Sequence, residues 1–389
     1  MLKLFVHKTE KAWIVGINFH NNKISDNNIG KKNISSHLDE LSSLLKTLGV
    51  ETAGRSVVSI KTPSSAFLTG KGKTEEIISN AFESDSSLIV FDDDLSPSQQ
   101  KNWEKLSKKR VIDRREVIIN IFAERAKTKE ASLQVELAYC KYTLPRLTGA
   151  WKHLSRQRGG HYGTKGTGEK QIETDRRLLL KRIAVLKKEL DNIKKQRHTR
   201  RKLRESREVF SCSIAGYTNA GKSTLLNKLT GANVSTNSRL FDTLDPVTRK
   251  LHLPNAKEIV ITDTVGFIRK LPHQLIEAFK STLEETVFAD LVILLLDASS
   301  NEVKTHYQTS MEVLNEIGVD KERVMTVFNK IDIATNSCTI PLFEKEYGDS
   351  FFVSALDGKN IDKFISEIEK RTEAGEKQNK IQYSTEKFE

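Results

Sequence analysis

The chain has 389 residues, 37% of them apolar, and a formal net charge of +12, which allows two or three domains with real cores. No run approaches 18 uninterrupted apolar residues, which excludes a membrane-spanning helix, and the opening MLKLFVHKTEKAW is too charged for a secretory leader. Cys140, Cys212 and Cys338 lie far apart, and neither they nor the nine histidines show metal-ligand spacing, so free thiols in a reducing cytosol are expected.

Residues 1–115 mix helical and strand patterns, and a small α/β domain is expected there. Leu38, Leu41, Leu45 and Leu48 recur at helical spacing, and Gly49 ends that run. RSVVSI, SLIVF and RVIDR read as short buried strands, whereas GKTEEIISNAF and PSQQKNWEKL read as helices. The GKGK at 70–73 fits no phosphate-loop spacing and reads as a turn into a helix.

Residues 116–207 change character. Leu133, Leu137, Cys140 and Leu144 share one helix face, and Pro145 is expected to stop that helix. Ile172, Leu179, Ile183, Leu186, Leu190 and Ile193 then form a heptad seam. Two seams joined by SRQRGGHYGTKGTGEK predict an antiparallel helical hairpin with a flexible, glycine-rich tip. Charge concentrates here: from Arg176 to Glu208 fourteen Lys/Arg face four Asp/Glu, and from Arg146 to Lys170 six basic residues face only Glu169. The rest of the chain is slightly acidic. A charged helix face is usually just a solvated surface, but this density beside a basic loop points to RNA. His161 and Tyr162 at the tip either stack on an unpaired base or simply face solvent.

From 208 to 373 apolar strand-like runs, VFSCSIAG, EIVITD, LVILLLD, RVMTVFNK and SFFVSA, alternate with helical segments. That pattern predicts a Ras-like doubly wound parallel sheet. Residues 374–389 read as a polar, frayed tail.

The chemistry lies in this last domain. Gly216-Tyr217-Thr218-Asn219-Ala220-Gly221-Lys222-Ser223 fits G-x-x-x-x-G-K-[ST] between a strand and a helix that opens with Thr224. Glycines let the backbone wrap a phosphate, and the helix N-terminus adds donors. Lys222 would reach the β- and γ-phosphates and Ser223 would bind Mg²⁺. Asp263 in Asp263-Thr264-Val265-Gly266 would hold Mg²⁺ through water, and Gly266 would offer its N–H to the γ-phosphate. Asn329-Lys330-Ile331-Asp332 ends another strand; the buried Asp332 carboxylate would pair with guanine N1 and N2 and be left unpaired by adenine. Ser354-Ala355-Leu356 would face guanine O6 through backbone N–H groups. In LFDTLDPVTRK, Thr243 and Thr248 are candidates for the switch hydroxyl on Mg²⁺, with Thr248 equally able to cap a turn.

Together GYTNAGKSTL, FDTLDPVTR, DTVGFI, NKID and SAL resemble the HflX-type GTPases of the translation-factor superclass. GKGKTEEI, LSPSQQKNWE, VIDRREVIINIFAERAKTKEASLQVELA, LPRLTG and QIETDRR extend the resemblance outside the G motifs, which alone would also admit Obg or Era relatives. It covers about residues 35–370. The resemblance implies GTP/GDP and Mg²⁺ as cofactors. It also implies binding to the large ribosomal subunit and its RNA, with splitting or rescue of stalled ribosomes. It favours Thr243 over Thr248, and adds Phe241, Asp242, Leu244 and Asp245 to the nucleotide site. With Lys222 and Gly266, Thr243 completes the expected catalytic set. Asn219 stands where some relatives help bind K⁺. At the tip, Lys165-Gly166-Thr167-Gly168-Glu169 departs from the family's Arg-Gly-Pro-Gly-Glu, losing a planar guanidinium and a stiff proline.

Phe267 occupies the position of the water-orienting glutamine of Ras-type enzymes, and phenylalanine cannot orient water. Intrinsic hydrolysis is expected to be slow, short of the ~10³–10⁵ that a supplied arginine finger recovers. The ribosome is the expected source of the rest, although a packed residue without catalytic meaning fits slow turnover equally. Three readings stay open at this point: a ribosome-splitting GTPase, a GTP-gated assembly or RNA-binding factor, and a regulatory GTPase acting on proteins or membranes. The basic hairpin argues against the third. A cytoplasmic monomer is expected, with peripheral membrane contact left open.

Overall fold

The structure, a computed structural model, describes residues 10–19, 27–150, 167–205, 209–231, 240–241, 246–270, 283–334, 343, 346–347 and 350–385. The expected tip residues His161, Tyr162 and Lys165, and Cys338, lie outside them. The chain divides into two compact units, Met1–Asp191 and Asn192–Glu389.

The first unit is built on a four-stranded, all-parallel sheet of order β2-β1-β3-β4. Its strands are β1 (Lys11–Phe19), β2 (Glu51–Ile60), β3 (Leu88–Phe91) and β4 (Arg110–Asp113). The first of these, KAWIVGINF, was not read from the sequence, yet it is central and pairs with β2 along its whole length. Helices α1 (Asn27–Thr47), α2 (Lys71–Glu83) and α3 (Pro97–Ser107) connect the strands, with α4 (Arg114–Arg125) following β4. Leu38, Leu41, Leu45 and Leu48 are all buried, as their spacing demands, and Gly49 takes φ 77°, the left-handed turn that ends α1. Ser96 and Gln99 form a reciprocal capping box at the start of α3, and Trp103 on that helix packs on Phe91 while donating to the Phe67 carbonyl at 2.7 Å.

Helix α5 (Lys129–Ala150) runs on through Pro145, contrary to the expectation that this proline stops it. The turn is held from outside. The Arg146 guanidinium donates to Gln100 Oε1 (2.7 Å), the Leu95 carbonyl (3.0 Å) and Asp113 Oδ2 (2.9 Å), and stacks on Tyr142 one turn earlier. Asp113 also caps α4 through Glu116 N and accepts from the Tyr142 hydroxyl. Such a satisfied network offsets the backbone bond that a helical proline forgoes. Helix α6 (Thr167–Glu205) pairs antiparallel with α5. Arg182 reaches Glu136 through two bonds of 2.7 Å, and Lys129 meets Glu189 at 3.9 Å, seven residues further on each helix in opposite senses. Of the seam, Leu186 is fully buried and Leu179, Ile183, Leu190 and Ile193 are half-buried, while Leu178, Leu180 and Val185 are exposed. The hairpin expectation holds for these helices.

The second unit carries a six-stranded sheet of order β10-β9-β8-β5-β7-β6. Strands β5 (Ser211–Gly216), β7 (Glu258–Asp263), β8 (Leu291–Asp297), β9 (Val324–Asn329) and β10 (Ser350–Phe352) are parallel. Strand β6 (Val247–His252) is an antiparallel edge that begins inside the stretch read as a switch loop and runs past its end. Helices α7 (Lys222–Thr230), α8 (Val303–Glu316) and α9 (Ile361–Thr385) complete the unit. LVILLLD is apolar throughout because both faces are covered. Leu291, Ile293 and Leu295 join one buried cluster, whereas Val292, Leu294 and Leu296 join another on the opposite face. Helix α9 extends to Thr385, through most of the stretch read as frayed; its Glu, Lys and Gln residues are good helix formers. No helix among the described residues is long and apolar enough to cross a membrane.

Candidate functional site

Strand order places the site. Strand β5 is central, and the chain leaves it toward β7 on one side and β8 on the other, so the crevice at its carboxyl end is a topological switch point. There the chain turns through Gly216 to Ser223 into α7. Gly216 has φ 143°, and a Cβ on it would run into the Leu295 carbonyl of β8. Gly221 has φ 95°, and its Cβ would strike the Asn329 amide. Only glycine fits either place.

Lys222 opens α7 and is buried. Its Nζ donates to the carbonyls of Gly216 (3.2 Å) and Tyr217 (2.9 Å), which holds the ammonium inside the loop. Burial pushes its pKa down to about 8, with Asp263 pulling the other way and Lys330 adding to the fall. A phosphate brought to this group favours its charged form, so binding takes up a proton wherever the free lysine is neutral. GDP affinity is therefore expected to be steady below pH 8 and to drop by up to about tenfold per pH unit above it. A fluorescence titration that stayed flat from neutral pH to about one unit above that value would remove Lys222 from phosphate binding.

Ser223 Oγ donates to Asp263 Oδ2 at 2.6 Å, which joins the end of the loop to the end of β7. Thr224 is half-buried in the same turn. Beyond Asp263, Thr264 is anchored by its hydroxyl to the Ile214 carbonyl (2.8 Å), and Val265 is buried. Gly266 lies hard against the loop, because a Cβ there would sit 2.8 Å from Lys222 Nζ and 2.9 Å from Thr218 Cα. The next residue zips the two segments together. Phe267 N donates to the Gly216 carbonyl (3.0 Å), and Thr218 N donates to the Phe267 carbonyl (2.8 Å). The Phe267 ring is 1% exposed and lies in a buried cluster with Ala215, Tyr217 and Leu283.

Asn329 ties the remaining parts. Its Nδ2 donates to the Ala220 carbonyl in the loop, and its Oδ1 accepts from Ala355 N, both at 2.9 Å. The Ala355 N–H, expected to face guanine, is thus taken by Asn329. Lys330, at φ 64°, pairs with Asp297 at 2.6 Å. Ile331 is half-buried. Asp332 is exposed, not buried as read, and Ser354 Oγ fixes its Oδ1 at 2.6 Å. Leu356 is exposed. Asn219, at φ 63°, is exposed at the crown of the loop.

Phe241 is described and buried, but Asp242, Thr243, Leu244 and Asp245 lie outside the described residues. The competing Thr248 lies in β6, where its Oγ1 is 2.9 Å from Thr262 Oγ1 across the strand pair. That contact gives it a structural role.

Sequence reasoning missed a group on the opposite side of the loop. The Tyr217 ring stacks on His306 of α8 at 3.9 Å, and its hydroxyl accepts from Arg269 N at 2.8 Å. Arg269, itself buried, pairs with Glu302 at 2.5 Å. Burial, and then the Arg269 charge, push His306 down to about 4, so the ring is neutral at neutral pH. The available signal was Arg269 two residues beyond an apolar Phe267.

A glycine-wrapped loop leading into a helix, an aspartate at the neighbouring strand end and an Asn-Lys-x-Asp turn in one crevice define a P-loop GTPase. GTPase HflX of Akkermansia muciniphila is 47% identical over 331 residues (83% of this chain, 74% of that one), and GTPase HflX of Escherichia coli is 41% identical over 335 (86% and 78%). The chain belongs to the HflX family of GTPases. Family models described as GTP-binding GTPase N-terminal, GTP-binding GTPase middle region and 50S ribosome-binding GTPase match residues 35–123, 125–204 and 211–330. A solved GTP-binding protein of Sulfolobus solfataricus, in complex with GDP, is 25% identical, with 94% of this chain and 99% of that one covered and a TM-score of 0.48. As a member of the HflX family the protein is a GTP hydrolase.

Proposed function

We propose that the chain binds the large ribosomal subunit through its basic hairpin, and couples GTP binding and hydrolysis to splitting or rescue of stalled ribosomes. The observation that carries this is the joining of a GTPase to α6, whose run from Arg176 onward is strongly cationic. The family model described as 50S ribosome-binding GTPase supports it. In this reading the protein works as a cytoplasmic monomer.

In this reading the site residues divide the work according to their expected roles. Backbone N–H groups of the loop from Gly216 to Ser223 and the Lys222 ammonium hold the phosphates. Gly266 senses the γ-phosphate, and Asp332, oriented by Ser354, reads guanine. Hard oxygen donors already 2.6 Å apart suit Mg²⁺: Ser223 would bind it directly, Asp263 through water, and Thr243 when the γ-phosphate is present. Once bound, that ion neutralises charge on the β- and γ-phosphate oxygens. Phe267 has no hydrogen-bonding group with which to orient water, so slow turnover that ribosomes raise is expected.

Asn219 at the exposed crown of the loop would contribute to a K⁺ site beside the phosphates. Turnover is then higher in KCl than in NaCl, and equal rates would exclude the ion.

Sedimentation of intact ribosomes with the protein and GTP, or a non-hydrolysable analogue, tests the main proposal. Free subunits support splitting. Bound but intact particles would instead identify a GTP-gated assembly or RNA-binding factor, and no co-sedimentation would overturn both.

A further inference from the structure

A short helical segment at 283–287 is fastened to four other parts of the second unit. Leu283 is buried in the cluster that contains Phe267 and Tyr217. Thr286 is fully buried, and its hydroxyl lies 2.8 Å from Ser213 Oγ on β5, the strand that delivers the phosphate loop. Between them Glu284 faces α6, in the stretch of that helix from Asn192 onward that belongs to this unit. Lys194 Nζ lies 3.4 Å from Glu284 Oε1, and Arg197 Nη2 lies 3.3 Å from Oε2. The Glu284 and Arg197 side chains are only 10% and 18% exposed, so this pair is shielded from water, whereas Lys194 is 64% exposed. At the far end, Arg323 donates to the carbonyls of Val287 and Ala289, both at 3.1 Å.

We infer that Glu284 is a positioning residue for GTP hydrolysis. Its pairs with Lys194 and Arg197 fix where segment 283–287 lies. Leu283 passes that position toward the Phe267 ring through the close-packed cluster to which both belong, which transmits displacement because a core has no slack. Phe267 in turn sets Gly266, one bond away along the chain and packed on Thr218 and Lys222. The aromatic ring that cannot hold water thus acts as a rigid coupling. One cation of the basic stretch, Arg197, serves inside the protein and is withheld from phosphate, whereas Lys194 stays largely exposed. A shielded carboxylate–guanidinium pair is better suited to this than an exposed one, because salt and water weaken it less.

The inference rests on reading Gly266 as the γ-phosphate sensor and is independent of ribosome splitting. The test uses the full chain: single-turnover GTP hydrolysis with enzyme in excess, alongside GDP and GTP affinities. Glu284→Gln keeps shape and removes charge; it is expected to lower the hydrolysis rate about fivefold to twentyfold, with both affinities within twofold of wild type. The exchanged pair Glu284→Arg with Arg197→Glu should recover at least half of the lost rate. The inference is overturned if Glu284→Gln hydrolyses at the wild-type rate, if affinity and rate fall together, or if the exchanged pair does not recover. If the wild-type chain itself fails to retain GTP, the reading of the whole site fails instead.

Discussion

Asp332→Asn is expected to weaken GTP binding by about 3 kcal/mol, roughly 150-fold, and to transfer preference to xanthosine nucleotides. In the proposed role the carboxylate accepts from the N1–H and N2 amino groups that guanine presents together. An amide can accept only one, and its own N–H then opposes the amino group. Xanthine carries a carbonyl at that position, which the amide can serve. Ser354 Oγ holds Asp332 Oδ1 at 2.6 Å, so the substituted side chain is kept in place and cannot turn away from the mismatch. Competition titrations with GTP and XTP read the result. Retention of full GTP preference would move base recognition elsewhere in the fold.

Phe267→Gln is expected to destabilise the second unit by roughly 3–5 kcal/mol without raising the rate of hydrolysis. By analogy with Ras-type enzymes the change would supply the missing water-orienting amide. The structure argues otherwise, because the ring at 267 is 1% exposed and both its backbone groups are bonded to the phosphate loop. A glutamine there enters the cluster of Leu283, Val292 and Leu294 and buries an amide among apolar neighbours. Urea unfolding measures the loss, and a single-turnover assay measures the rate. A stable variant with faster turnover would show that this side chain can reach the nucleotide.

These two residues also show how far the sequence could be read. The place of Asp332 at a strand end was legible because the NKID motif ends an apolar run, but its burial was misread, because the turn beyond the strand leaves it exposed beside Ser354. That Phe267 cannot place water was legible from its chemistry. Its burial was not, since that depends on Leu283 and Val292 arriving from distant elements. Repeating apolar positions disclosed α1 and the α6 seam because one face of each is covered. Pro145 misled because Arg146 secures the turn through Gln100, Leu95 and Asp113, contacts 33 to 51 residues away in the chain. Strand β6 was hidden by its composition: VTRKLH is largely exposed at a sheet edge and carries no apolar run. Apart from Arg269 beside Phe267, the Tyr217–His306–Arg269–Glu302 group left no signal, because its members share no motif and meet only when α8 packs beside the loop.

Asn329 spans the two places proposed to recognise different parts of one ligand. A single amide touches Ala220 on the phosphate side and Ala355 on the base side. Loosening either end deprives that amide of one partner and weakens its hold on the other. Product departure from this enzyme should accordingly be a one-step event, with guanine and diphosphate leaving in concert and no lingering half-bound intermediate.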